Sequence, residues 1–114
     1  MAIHFSTSTP KQLLTHFDAR IAQKEPKGKI TTWRKQDDFY THTSDQWKEK
    51  AWLWATAHQG KLTFNIAPSK GATLTLVAYA YYHGHLIETF INHFVEEFSS
   101  GTATAKAESP DKKR

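Results

Sequence analysis

Lys50-Ala51-Trp52-Leu53-Trp54-Ala55-Thr56-Ala57-His58-Gln59-Gly60-Lys61-Leu62-Thr63-Phe64-Asn65-Ile66-Ala67 is the stretch that decides the fold. Its second half alternates, with Leu62, Phe64 and Ile66 on one face and Lys61, Thr63 and Asn65 on the other, which is the period of a half-buried strand. Its first half carries Trp52 and Trp54 on one face and Leu53 between them, so it is apolar on both sides. Gln59-Gly60 joins the two runs as a tight hairpin turn, because glycine supplies a positive φ without a Cβ clash. A strand apolar on both faces belongs in the middle of a sheet, or in a sheet covered on its second face.

Upstream, Ile30–Arg34 and Phe39–Thr43 are β-branched and aromatic, with Gln36-Asp37-Asp38 as a turn between them. Ser44–Glu49, holding Trp47, reads as a connecting loop. Further back, Ser8 or Thr9 caps a helix whose first turn takes Pro10. Leu13, Leu14, Phe17 and Ile21 then share an arc of about 100°. Pro26 and Gly28 end that helix near Lys24.

Downstream, Pro68-Ser69-Lys70-Gly71 is a turn and Ala72–Val77 reads as extended. From Ala78 a helix follows, in which Tyr79, His83, Leu86, Ile87, Phe90, Ile91, Phe94 and Phe98 share one broad face. His85, Glu88, Thr89, Asn92 and Glu96 take the other face. Gly84 costs this helix about 1 kcal/mol relative to alanine, so the sequence marks it as a close packing contact. Residues 99–114 contain no large apolar side chain and read as a disordered basic tail that adds nothing to stability.

The expected architecture is therefore α+β, with one domain over residues 1–98 and a tail over 99–114. It has an N-terminal helix, a four- or five-stranded antiparallel meander and a long C-terminal amphipathic helix. The connections are too short for parallel crossovers. Each helix has one apolar stripe to bury, and packing both on one sheet face is the economical solution.

Composition narrows the function classes. In 114 residues there are seven Phe, four Trp, four Tyr and no Cys, which supports a packed core and excludes disulfides and thiolate chemistry. The formal charge of +4 divides evenly between tail and body, so the body is nearly balanced and carries little of a nucleic-acid signature. The first residues lack the features of a secretory signal, and no run approaches the roughly 20 apolar residues of a membrane span. A cytoplasmic protein is the simplest reading.

Few residues carry chemistry. His83-Gly84-His85 would place two imidazoles together in a strand, but in a helix they diverge by about 200°. No metal or cofactor is expected. His83 falls in the apolar stripe, where it is either a hydrogen-bonded core residue or a pocket histidine. His85, Glu88 and Asn92 form a polar stripe that reads as helix surface. Trp33-Arg34-Lys35 with Lys27 and Lys29 would suit base stacking, but Asp37 and Asp38 offset the charge.

Trp52 and Trp54 divide the readings most sharply. If the helices lie on the opposite face, this pair is left for a partner. The leading expectation is a non-catalytic domain that associates with itself or with another protein through its sheet or its long helix. The alternative is a small-molecule binding domain or enzyme, with a pocket between sheet and long helix lined by Trp52, Trp54, Tyr79 and His83. Weak nucleic-acid binding comes third.

Overall fold

The computed structural model describes residues 2–106 and 111. Its elements run β1 (Ala2–Ser6), α1 (Pro10–Ala22), β2 (Trp33–Gln36), β3 (Phe39–His42), β4 (Ala51–His58), β5 (Lys61–Pro68), α2 (Leu76–Phe94) and β6 (Ser100–Ala103). The six strands form one antiparallel sheet in the order β2-β3-β4-β5-β1-β6. The α+β class is as expected. The hairpin at Gln59-Gly60 pairs His58 with Lys61, and Gly60 takes φ +83°.

The four-strand meander β2–β5 is only part of the sheet. The chain's first strand runs antiparallel beside β5, and β6 closes the far edge against β1. β1 went unread because a five-residue run is too short for its period to stand out, although Ile3 and Phe5 alternate with His4 and Ser6. The assignment of disorder from residue 99 is corrected for Ser100–Ala103, which are paired with β1. These small residues anchor through backbone rather than through apolar side chains, and composition does not register that. Asp111 also docks, its Oδ1 accepting from Asn65 Nδ2 at 2.9 Å and from the Ile66 N–H at 3.0 Å. The remaining tail positions, 107–110 and 112–114, lie outside the described residues.

Both helices pack on the same sheet face. Phe17 of α1 meets Phe64 of β5 with ring centroids 5.8 Å apart, and Phe90 of α2 meets the same ring at 5.7 Å. Phe5 of β1 stacks on Phe90 at 4.2 Å, and Phe17 lies 5.0 Å from Phe90. All four rings are fully buried. Gly101 in β6 is required at this corner, since a Cβ there would lie 3.0 Å from Phe5 Cε1.

α2 begins earlier than expected. Thr75 Oγ1 accepts from the Ala78 N–H at 3.1 Å, a side-chain cap that starts the helix at Leu76 and carries it through the β-branched Val77. The helix ends at Phe94, a turn short of Phe98. No helix among the described residues is long and apolar enough to cross a membrane.

Two outcomes test this arrangement. Phe90→Ala should cost about 3–5 kcal/mol by urea unfolding, while Ile91→Ala, at a half-exposed position on the same helix, should cost under about 1 kcal/mol. A chain ending at Ser99 loses β6 and uncovers Phe5. Its thermal midpoint should fall by roughly 10 °C, whereas a chain ending at Lys106 should stay within a few degrees of the full-length protein.

Candidate functional site

The sheet separates the four residues that the sequence brought together. Trp52 and Trp54 lie on the face opposite the helices, half-buried, while Tyr79 and His83 lie under α2 and are buried. The expected pocket between sheet and long helix lined by all four is therefore not formed. Tyr79 donates its hydroxyl to the Thr104 carbonyl. His83 Nδ1 donates to the Tyr79 carbonyl at 2.8 Å, and the two rings lie 3.8 Å apart. His83 has the environment of a hydrogen-bonded core residue.

A second histidine, overlooked in the sequence, sits deeper in the chemistry of the fold. His42 shares the helix-facing side of β3 with Tyr40 and is 2% exposed. Its Nδ1 accepts the Ser44 N–H at 3.1 Å, so the proton of the neutral ring resides on Nε2, which has no hydrogen-bond partner among the described residues. The His85 ring approaches at 4.6 Å, nearly perpendicular. Burial, and then the neighbouring His85, push the His42 pKa down to about 4. His85 is also lowered by burial, with Glu88 opposing the shift. Tyr81 stacks on His85, and Trp47 stacks on Tyr81 in turn. The alternation of Tyr40 and His42 in a short strand was the available signal.

Thr89 belongs to this cluster rather than to solvent. Its Oγ1 accepts the Trp33 indole N–H at 3.0 Å, and Trp33 is itself buried. The basic residues beside Trp33 are committed, Arg34 to Glu49 and Lys35 to Asp18, each at 2.9 Å. Trp33 therefore offers no ring face to a nucleobase.

Comparison with protein families, with curated proteins and with solved structures finds no match. The reading of this chain rests on its own surfaces, and two of these are unusual.

The first is the outward side of α2. Leu76, Val77, Ile91 and Val95 are 71%, 67%, 51% and 60% exposed, and they account for four of the five large apolar side chains so exposed among the described residues. At about 100° per residue they fall on one side of the helix together with Ala80 and Gly84. Ile91 thus leaves the core stripe in which the sequence placed it. A Cβ at Gly84 would meet nothing within 4 Å, so no contact among the described residues accounts for a glycine in mid-helix.

The second is a cleft of about 720 Å³ between β4 and the tip of the β2–β3 hairpin. Trp54 and Phe39 meet edge to face at 6.1 Å, and Phe39 is 43% exposed. Trp52 is fixed by its indole N–H on Ser69 Oγ at 3.2 Å and carries the Arg34 guanidinium 5.5 Å from its ring centre. Asp37 and Asp38 form the hairpin turn at the cleft's edge, Asp37 with φ +55°.

The His42 pair generates a pH prediction. Unfolded His42 gains a proton near pH 6.5, but folded His42 does so only near pH 4. Between these values the unfolded chain binds more protons, so stability falls as the pH is lowered, by about 3 kcal/mol from this residue. His85 shifts in the same direction and adds to the slope. In urea unfolding the wild type should be less stable at pH 4.5 than at pH 7, and His42→Phe should reduce that difference. An unchanged difference would show that His42 is not held neutral.

Proposed function

We propose that this protein is a non-catalytic association domain that pairs with a second copy of itself along the outward side of α2. The observation that carries the reading is the exposed stripe Leu76, Val77, Ala80, Gly84, Ile91 and Val95. Val77 and Ile91 each lie seven residues from Gly84, one before it and one after, or about 10 Å along the axis. A two-fold axis passing Gly84 therefore sets Val77 of each copy against Ile91 of the other. An isologous contact needs this self-complementarity.

Gly84 has its explanation in the same geometry. A glycine at the crossing point lets two helix backbones approach closely, and the contact offsets the roughly 1 kcal/mol that it costs the isolated helix. Glu88 and Asn92 border the stripe, leaving its centre free of charge. Full burial of a valine, leucine or isoleucine gives about 1.5–3 kcal/mol relative to exposure, so the stripe supplies several kcal/mol per copy before association costs. Two crossed helices alone fall at the low end of interface sizes, below about 1,200 Å² in total. Micromolar association is the matching expectation.

Sedimentation equilibrium between about 1 and 300 μM tests the proposal. The wild type should move from monomer to dimer within that range. Gly84→Glu and Ile91→Glu should remain monomeric with folded circular dichroism spectra, because neither position packs inside the chain. Gly84→Ala should raise monomer stability by about 0.5–1 kcal/mol while weakening the dimer. A wild type that is monomeric throughout, or a dimer indifferent to Gly84→Glu, would overturn the reading.

A further inference from the structure

The cleft beside β4, lined by Trp52, Trp54 and Phe39 on the helix-free side and reaching Leu14 of α1, is a site apart from the α2 stripe, and its chemistry selects a ligand class. We infer that it binds an extended peptide strand bearing a lysine or arginine, which adds to the open edge of β4 and sets its cationic side chain against Trp54, Asp37 and Asp38.

The open edge comes from the pairing pattern. β3 and β4 share a single bridging pair, Tyr40 with Leu53, while β4 pairs with β5 along its full length. β4 from Ala55 to His58 thus has no partner strand on its β3 side among the described residues. Ala51 turns its carbonyl toward β3, where Thr41 Oγ1 donates to it at 2.9 Å. The two-residue alternation of an antiparallel ladder turns the N–H and C=O of Ala55 and Ala57 the same way. Neither residue is buried, and such a row accepts an added strand through main-chain hydrogen bonds.

Charge and aromatic geometry specify the side chain. Arg34 on Trp52 demonstrates that this face holds a guanidinium over an indole, an arrangement stabilised by the ring quadrupole. Trp54, cross-strand from Asn65 in the same row, has no cation over its ring among the described residues. Asp37 and Asp38 make no ion pair among them either, whereas Lys35 and Arg34 are already held by Asp18 and Glu49. Two uncommitted carboxylates beside an indole and the Phe39 ring complement a cation with an aliphatic stem. Lys70, at the β5 end of the cleft, disfavours a second cation there and so limits the preference to one basic side chain.

The test uses the full-length protein and its tryptophan fluorescence. The probes are capped hexapeptides alternating valine and threonine, with a central lysine, arginine or glutamate, together with lysine amide alone. The lysine and arginine peptides should bind saturably below about millimolar concentration. The glutamate peptide and lysine amide should bind at least about tenfold more weakly. Trp54→Ala, and separately Asp37→Asn with Asp38→Asn, should each weaken the lysine peptide about fivefold or more. N-methylating alternate residues of the lysine peptide should abolish its binding. Absence of saturation by the lysine peptide overturns the proposal. So does equal binding of the glutamate peptide, indifference to Trp54→Ala, or full binding of the N-methylated peptide. Lysine amide binding as tightly as the peptide would leave a cation site without strand addition, and would likewise overturn the proposal. Gly84→Glu should bind the lysine peptide as the wild type does, which separates this site from the α2 surface.

Discussion

Four phenylalanine rings, from β1, α1, β5 and α2, hold the architecture together. Phe5, Phe17, Phe64 and Phe90 meet at centroid separations of 4.2 to 6.1 Å, and none is exposed. The β1 and β6 strands, the central hairpin and both helices converge on them. Each ring contributes large buried area and edge-to-face or stacked geometry. The requirement that α1 and α2 both reach Phe64 places them on one side of the sheet. The half-buried position of Trp52 and Trp54, and the exposure of Phe39, on the other side are a direct consequence.

The parts of this arrangement legible in the sequence are those with a regular period or a strong turn residue. The Gln59-Gly60 hairpin, the Pro10 helix start and the turn through Asp37 and Asp38 each follow from local chemistry. β1 and β6 do not, because short strands of mixed or small residues are fixed by long-range pairing rather than by their own pattern. β6 joins residues about a hundred positions apart, and Gly101 serves there by having no side chain. Composition alone reads such a segment as unable to order.

The phase of α2 was the harder reading, for a physical reason. This helix is apolar around most of its circumference: Tyr82, Leu86, Phe90 and Phe94 face the core, while Leu76, Val77, Ile91 and Val95 face outward. A moment calculated from hydrophobicity then has a broad maximum, and Ile91 and Thr89 were assigned to each other's environments. Helices apolar all round are normally buried all round. In a chain this small there is too little protein to cover both sides, so Leu76, Val77, Ile91 and Val95 stay exposed. The candidate pocket failed for a related reason, since strand alternation puts Trp52 and Trp54 on one face but does not say which face the helices choose.

The two surfaces are independent by construction. The stripe on α2 lies on the outer side of the helical layer, and the Trp52 and Trp54 side of the cleft lies across the sheet from it, with Leu14 of α1 at the cleft's inner wall. Two cation-selective strand sites on one rigid dimer would engage two basic segments of a single partner with the second event intramolecular, so that modest affinity at each site becomes substantial avidity when the segments can span the distance. A weak peptide site and a weak self-association surface gain most from being combined in this way. Under the proposed dimer and strand site, such coupling would give a physical reason for a domain of this size to leave apolar area exposed on both of its layers.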